Sequence, residues 1–271
     1  MSRGINNVLF IGALARDPEL RYTPNGAAVL SITVAGDSIV TDLNGDVRSL
    51  PWYQRVELVS RQAEALQESL KAGHSVLVEG KLEYQSWENE QGERRSKVIV
   101  RAGRIDPLAE TARSENIITD KIGGYRLLDA VNRAVISGNL ARDPVIRHTQ
   151  NGHTVAAIAV AVTESWKDAQ GEWQQKPHYI EVTLWHGLAE IAATLQKGAP
   201  VLISGRLNND SWTDASGQKR NTVKLEAERL ELLERRTPVA LQPSPEPELE
   251  AELAPRPRAT KLRGRNQPAA A

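Results

Sequence analysis

A domain-sized repeat constrains this chain more than any other feature of its sequence. Residues 12–26 read G-A-L-A-R-D-P-E-L-R-Y-T-P-N-G, and residues 138–152 read G-N-L-A-R-D-P-V-I-R-H-T-Q-N-G, with matching positions 126 apart. Solenoid and propeller repeats have much shorter periods, of roughly 20 to 50 residues. The repeat therefore predicts a duplicated domain, and any function must suit two similar modules.

Composition agrees with two domains and excludes several kinds of site. A chain of 271 residues has the length of about two domains. It has no cysteine and only five scattered histidines, which disfavours disulfides and metal sites. We expect no cofactor. Because no apolar run approaches the roughly 18 residues of a membrane span or resembles a signal peptide, we expect a soluble cytoplasmic protein with no membrane partner.

Each half is predicted to be an all-β domain with one short helix. Strands rich in Val, Ile and Leu alternate with turn residues. In the first half we predict strands at 8–14, 28–35, 52–59, 75–84 and 96–105, with a helix at 61–72. In the second half we predict strands at 134–140, 155–162, 178–185, 200–207 and 221–232, with a helix at 188–197. Five strands with a helix between the third and fourth follow the order of an OB-fold, so the prediction is two tandem OB-fold barrels.

These patterns divide the chain into four segments. The OB domains are predicted at 1–108 and 131–235. The segment 109–130 places apolar residues around a Gly-Gly pair, which is compatible with a packed hairpin or with a free linker. Residues 236–271 are rich in proline and lack periodicity, so this tail is predicted to be disordered.

Aromatic side chains are the strongest candidates for a binding function, because no catalytic motif is present. Trp87 and Trp212 occupy matching positions on the hairpin between the fourth and fifth strands, flanked by polar residues. Exposed rings at such positions suit base stacking; the alternative is that each ring covers its own hairpin stem. The remaining candidate stacking rings are Tyr53, Trp166, Tyr179 and Trp185.

Basic residues lie close to these rings in the sequence and are candidates for phosphate contacts. The net charge is zero, with 34 basic and 34 acidic residues, so a nucleic-acid binder of this composition must place its cations locally. Basic residues follow both hairpin tryptophans, which favours a groove that tracks a nucleic-acid backbone. The candidates are Arg55, Arg94, Arg95, Lys97, Lys167, Lys219 and Arg220.

Together these residues resemble the bacterial single-stranded DNA-binding proteins. The specific motifs are G-x-L-x-R-D-P-x-x-R followed by N-G, T-E-S-W-K-D, H-Y-I-E-V-T-L-W, V-x-I-x-G-R-L and S-W-T-D-x-x-G-Q. The resemblance covers about 6–108 and 132–232. It implies OB-folds and sequence-independent binding of single-stranded DNA in replication, recombination and repair, without enzymatic activity. It also implies a homodimer that presents four OB domains, in a cytoplasmic, nucleoid-associated protein.

Carried across by position, the stacking residues of the family fall on Trp166, Tyr179, Trp185 and Trp212 in the second domain. In the first domain they fall on Val40, Tyr53, Val59 and Trp87, so two of the four rings are missing. Arg55 matches a basic contact of the family, whereas Glu181 replaces it in the second repeat. The family usually ends in an acidic tip that recruits replication and repair proteins; here the sequence ends Q-P-A-A-A, and such recruitment is not expected.

Two other functions remain open at this level. The chain could bind single-stranded RNA, which competition between matched DNA and RNA oligonucleotides would reveal. It could also be an OB scaffold that binds proteins through its tail, in which case oligonucleotides would not quench its tryptophan fluorescence.

Overall fold

A computed structural model describes residues 4–41, 45–88, 92, 94–108, 116–213, 217 and 219–233. Within these ranges, the side chains of Trp212 and of residues 219–221 lie outside the described part. The predicted tail, 236–271, lies outside it entirely.

The first half of the chain forms a closed OB-fold barrel. Its elements are β1 (Asn6–Leu14), β2 (Glu19–Tyr22), β3 (Ala28–Thr41), β4 (Val47–Val59), α1 (Ala63–Ser69), β5 (Ser75–Glu88) and β6 (Arg94–Pro107). Strand β1 pairs with both β3 and β5, and the ring closes through β6 and β4. Alternating side chains such as those of Phe10, Ile32 and Leu82 point inward and are almost fully buried. The predicted fold class is therefore confirmed, including the closure that strand count alone left open.

The connecting segment includes a hairpin that packs on the first barrel. Strands β7 (Ile117–Thr119) and β8 (Tyr125–Leu127) pair with each other. Leu127 lies beside Gly36 of β3 in parallel register, and the backbone N–H of Tyr125 donates to the carbonyl of Ala15, 3.3 Å away. Residues 117–127 thus extend the edge of one barrel.

The second half repeats the barrel. Its elements are β9 (Val131–Leu140), β10 (Val145–His148), β11 (Thr154–Lys167), β12 (Trp173–Trp185), α2 (Gly187–Ala193), β13 (Pro200–Thr213) and β14 (Lys219–Leu232). Strand β9 pairs with β11 and β13, and the ring closes through β14 and β12. Several strands in both barrels are longer than predicted, because the pairing of β3 with β4 continues to Thr41 and that of β11 with β12 continues to Lys167.

Both helices end earlier than predicted, and the residues that follow them bond to the barrels. Asp17 accepts a hydrogen bond from the backbone N–H of Ala72 at 2.9 Å, and Asp143 accepts the equivalent bond from Lys197 at 2.7 Å. Both bonds lie beyond the last helical residues, Ser69 and Ala193, and α1 ends because Leu70 has extended backbone. The two bonds give both Asp-Pro motifs a structural role. Strands β2 and β10 were not predicted, because four largely exposed residues carry too little pattern.

The two barrels are joined edge to edge through β1 and β9. These strands are antiparallel, with Asn6 opposite Ile136, Val8 opposite Ala134 and Ile11 opposite Val131. Val8 and Ala134 are themselves counterparts in the repeat, 126 positions apart, so a pseudo-twofold axis passes between them. The sheet consequently runs through both barrels.

Matched side-chain bonds lie on either side of this axis, one pair within each barrel. The amide of Asn6 donates to the carbonyl of Leu82 at 2.8 Å and accepts from its N–H at 2.9 Å. Asn132 makes the same two bonds with Leu207, each at 2.9 Å. The buried Gln54 of the first barrel also donates to the Leu207 carbonyl, 3.0 Å away, which ties β4 to the second barrel.

A glycine stands at the same β-bulge in each barrel. The register between β5 and β6 shifts at Gly80, and that between β13 and β14 shifts at Gly205. A Cβ atom at Gly80 would overlap the carbonyl oxygen of Arg101, and one at Gly205 would overlap that of Glu226. The close approach of the paired strand therefore requires glycine at both positions.

Candidate nucleic-acid interface

Most of the predicted stacking rings for which a side chain is described are solvent-accessible. The exposed fractions are 46% for Trp87, 41% for Trp166, 43% for Tyr179 and 37% for Trp185. Tyr53 is half-buried. Tryptophan is not exposed everywhere, since Trp52 is only 7% exposed and packs on Phe10 with ring centroids 5.6 Å apart. Exposure therefore distinguishes the candidate stacking rings from a tryptophan of the hydrophobic core.

An open groove of about 950 Å³ lies where the β5–β6 hairpin of the first barrel meets β12 of the second. We call it the junction groove. Aromatic and basic side chains from both barrels share its wall, namely Tyr84, Trp87, Arg94, Lys97, Lys176 and Tyr179. Three sequence-predicted residues of the first barrel and one of the second thus come together in one site.

Within the groove, a cation lies over the hairpin tryptophan. Lys97 Nζ is 6.0 Å from the centroid of the Trp87 ring. The two residues project from the same face of the hairpin, since Trp87 pairs with Arg95 and Gln85 pairs with Lys97. A ring with an adjacent ammonium can stack on a base while the cation contacts the neighbouring phosphate. Arg94, the first residue of β6, is exposed and also lines the groove.

Tyr179 meets an aromatic partner from the other barrel. Its ring and that of Tyr84 are arranged edge to face, with centroids 5.5 Å apart. The backbone N–H of Tyr84 donates to Nδ1 of the buried His178 at 3.0 Å, and Nε2 of His178 is 3.1 Å from a carboxylate oxygen of Glu164. Since Nδ1 accepts, Nε2 carries the proton and donates to Glu164.

Hydrogen bonds favour the ionised form of two acidic side chains near the groove. Glu83 is 2.9 Å from Arg101 Nε and 3.1 Å from Lys176 Nζ. Burial opposes ionisation, but hydrogen bonds from Arg101 and Lys176 keep the pKa of Glu83 below its ordinary value. The pKa of Glu164 is likewise lowered: burial opposes, and bonds from Lys81 and His178 prevail.

Tyr53 has a different environment from its counterpart Tyr179. Its hydroxyl donates to Asp120 at 2.6 Å and accepts from Arg126 Nη1 at 3.1 Å, and both partners belong to the connecting hairpin and its turn. Burial and the bond to Asp120 raise the pKa of Tyr53, against the opposing effect of Arg126. Its ring also has the Arg126 guanidinium 6.0 Å from the centroid. The structure thus places Tyr53 against the hairpin, outside the junction groove.

Arg55 lies with Tyr53 around a second, smaller cavity of about 210 Å³. Its guanidinium is 3.6 Å from Glu19, and both side chains are largely exposed. Arg16, Asp17 and Asn209 also border this cavity. Arg55 is therefore accessible, but it stands apart from the cations of the junction groove.

The β11–β12 ribbon carries aromatic rings on both of its faces. Trp166 pairs with Gln174, whereas Lys167 pairs with Trp173, so Trp166 and Trp173 point to opposite sides. Lys167 Nζ lies 5.5 Å from the centroid of the Trp173 ring, and that ring is 59% exposed. Lys167 is therefore associated with Trp173 and not with the adjacent Trp166.

Trp185 shares the outward face of β12 with Tyr179. They are six positions apart, which corresponds to about 20 Å along an extended strand. Between them Glu181 accepts a hydrogen bond from Arg142 at 2.6 Å. Glu181, which replaces the basic residue of the first repeat, is thus neutralised by a neighbouring guanidinium.

The remaining predicted residues repeat the first hairpin in backbone position. Trp212 pairs with Arg220 and Thr213 with Lys219, as Trp87 pairs with Arg95 and Glu88 with Arg94. The side chains of Trp212, Lys219 and Arg220 lie outside the described part.

Sequence reasoning missed three residues at the candidate interface: Tyr84, Lys176 and Trp173. Comparison of the repeats did not identify Tyr84, because the matching position holds Asn209. It did not identify Lys176, because the matching position holds Leu50. Trp173 could have been identified from the sequence, because it is an aromatic residue flanked by polar residues. Among the described residues, no group of acidic and histidine side chains could hold a metal ion, and no helix is long and apolar enough to cross a membrane.

Comparisons with known proteins agree with this arrangement. A model of the single-strand binding protein family matches residues 5–108 and 131–233. The chain is 48% identical over 236 residues to the single-stranded DNA-binding protein of Deinococcus radiodurans, covering 87% of this chain and 77% of the relative. It is 44% identical over 231 residues to that of Thermus aquaticus, covering 85% of each.

Solved structures of the Thermus aquaticus single-stranded DNA-binding protein are also similar. A deletion mutant superposes with a TM-score of 0.70 at 38% identity, covering 89% of this chain and all of that chain (100%). The wild-type protein superposes with a TM-score of 0.67 at 38% identity, covering 86% and 95%.

Proposed function

The chain belongs to the single-strand binding protein family, and from this premise we propose that it binds single-stranded DNA with little dependence on sequence. Bases stack on exposed rings while lysine and arginine side chains contact phosphates. Such binding protects unpaired strands during replication, recombination and repair in the nucleoid. It needs no catalytic residue, and the names of the relatives state DNA binding and no reaction.

The junction groove is the observation that best supports this proposal. It combines exposed Trp87 and Tyr179 rings with the ammonium or guanidinium groups of Arg94, Lys97 and Lys176. Base stacking is tolerant of sequence because every base has a π-face, and phosphate contacts carry no sequence information. The groove therefore has the two components of non-specific single-strand binding.

We also propose that two chains associate to present four OB domains, as the family resemblance implies. Light scattering coupled to size-exclusion chromatography tests this, with twice the chain mass of 29.8 kDa expected. A monomer at micromolar concentration would contradict it.

Titration of intrinsic tryptophan fluorescence with poly(dT), at low and high salt, tests the binding function. We expect strong saturable quenching whose affinity falls with salt, because released counterions favour binding at low salt. Absence of quenching at low salt would favour a protein-binding scaffold. Equal competition by a matched RNA oligonucleotide would instead identify a general single-strand binder.

A further inference from the structure

The pseudo-twofold axis relates two junctions whose side chains differ. At the junction groove, β5 contributes Tyr84 and β12 contributes Lys176. At the related positions, β13 contributes Asn209 and β4 contributes Leu50. One junction therefore presents a second aromatic ring and a cation, where the other presents an amide and an aliphatic chain.

Tyr84 is placed in the groove by its backbone. The backbone N–H of Tyr84 donates a hydrogen bond to Nδ1 of His178, and the phenol ring takes no part in this bond. The ring is partly buried against the hydrophobic core, and it also packs edge to face on Tyr179, which is 43% exposed. The pair forms an aromatic corner with one wall from each barrel.

Lys176 is able to change partner without leaving a buried charge alone. Its ammonium is 3.1 Å from Glu83, and its side chain is 44% exposed toward the groove. Glu83 is also bonded to Arg101, whose Nε is 2.9 Å away. When a phosphate attracts Lys176, the carboxylate of Glu83 therefore keeps one cation.

From this geometry we infer that Tyr84 and Lys176 are binding residues for a single-stranded nucleic acid, and that they make the junction groove the tighter of the two related sites. The inference rests on the proposed function. A base packs in the corner formed by Tyr84 and Tyr179, and Lys176 contacts the adjoining phosphate. The groove thus binds one strand with side chains from both barrels at once.

Exchange of the two residues for their counterparts tests the inference in the full chain. We expect Tyr84→Asn to weaken binding of a short oligo(dT) by about 5- to 150-fold, the range for loss of one stacked base. Lys176→Leu should lower the slope of log affinity against log salt by about 0.7, the value for one phosphate of a single strand. A purely structural role for Lys176 would not change that slope.

Two exposed residues away from the groove provide matched controls. Tyr22→Asn removes a 58% exposed ring next to α1, and Lys71→Leu removes an exposed lysine in the turn after α1. Both should leave affinity and salt slope within twofold of the wild type. Wild-type affinity and slope for both groove variants would overturn the inference, whereas a wild-type chain that does not bind poly(dT) would overturn the proposed function itself.

Photocrosslinking of the wild-type chain provides a test that does not depend on a folded variant. An oligo(dT) carrying 5-iododeoxyuridine is irradiated in the complex, and adducts are located by peptide mass spectrometry. Adducts on Tyr84 support the inference. Adducts confined to other aromatic residues overturn it while leaving single-strand binding intact.

Discussion

The backbone N–H of Tyr84 in the first barrel donates to Nδ1 of His178 in the second, across 3.0 Å. This bond joins the wall of the junction groove to the imidazole that also holds Glu164. The position of the groove is consequently linked to the packing of the two barrels.

Replacement of this histidine should destabilise the fold. His178→Phe leaves the Tyr84 N–H without its acceptor, at an expected cost of about 1–3 kcal/mol in the free energy of unfolding. Urea denaturation measures the difference. His153→Phe, at an exposed position, should change stability by less than about 0.5 kcal/mol. A loss for His178→Phe as small as that expected for His153→Phe would mean that the inter-barrel bond contributes little to stability.

The bulge glycines give a second prediction about stability. Gly80→Ala and Gly205→Ala should each cost about 1–3 kcal/mol, because the new methyl group overlaps a carbonyl oxygen of the paired strand. Gly103→Ala is the control, since the nearest neighbour of its Cβ would be 3.9 Å away and the counterpart position already holds Glu228. Thermal denaturation should separate the first two variants from the third, and a Gly103 variant as unstable as the others would contradict the explanation.

Arg126 should be important for docking the connecting hairpin. Arg126→Ala leaves Asp37, whose side chain is only 4% exposed, without its guanidinium at 3.2 Å. Breaking such a buried pair typically costs about 3–5 kcal/mol. Arg104→Ala breaks the exposed pair with Asp106 and should cost far less, because exposed ion pairs contribute little to stability. Chemical denaturation compares them, with hydrogen exchange at Tyr125 as a local readout; similar losses would exclude a special role for the hairpin.

Stability should fall in acid through Glu83 and Glu164. Despite the opposing effect of burial, bonds from Arg101 and Lys176 lower the pKa of Glu83, and bonds from Lys81 and His178 lower that of Glu164. Because the pKa of each carboxyl is lower in the folded state, its stabilising effect is fully present above the unfolded-state pKa near 4.5. This effect is lost as the pH falls through the folded-state pKa. Urea unfolding at pH 7 and between pH 4.5 and 3 measures this loss. Glu83→Gln should make the acid decline shallower, and an unchanged decline would contradict the assignment.

The second hairpin tryptophan should contribute more to DNA affinity than its cross-strand cation. Trp212→Ala should weaken poly(dT) binding by the roughly 1–3 kcal/mol of one stacked base. Arg220→Ala should weaken it less and should mainly reduce the salt dependence. Fluorescence competition against a labelled oligonucleotide compares the variants at one salt concentration. Equal losses of affinity in the two variants would contradict the claim that stacking contributes more than the cation.

The sequence predicted the barrels because their signals are local. Alternating apolar residues, Asp-Pro and Asn-Gly turns and a glycine after each helix occur within a few residues of one another. The pairing of β1 with β9 could not be predicted. Apolar and polar residues alternate in both strands as in many others, and neither sequence indicates which strand lies beside it. The hairpin at 117–127 was left open for the same reason, since its docking depends on Asp37 and Ala15, far away in sequence.

The candidate site could be predicted from the sequence where the two repeats agree. Trp87 and Trp212 were predicted as stacking residues because they occupy matching positions in the two repeats. Tyr84 and Lys176, which the structure adds as candidates, were not predicted because the repeats differ at those positions. The different environments of Tyr53 and Tyr179 were also hidden, since both tyrosines match in sequence while only one faces the connecting hairpin.

The axis between Val8 and Ala134 has a consequence for how this protein can vary. In a pair of identical subunits, every mutation at such an axis appears twice and meets its own copy. Here one chain supplies both strands, so valine stands opposite alanine and either position can mutate alone. The covalent fusion thereby allows each barrel to be altered without an obligatory change in its neighbour.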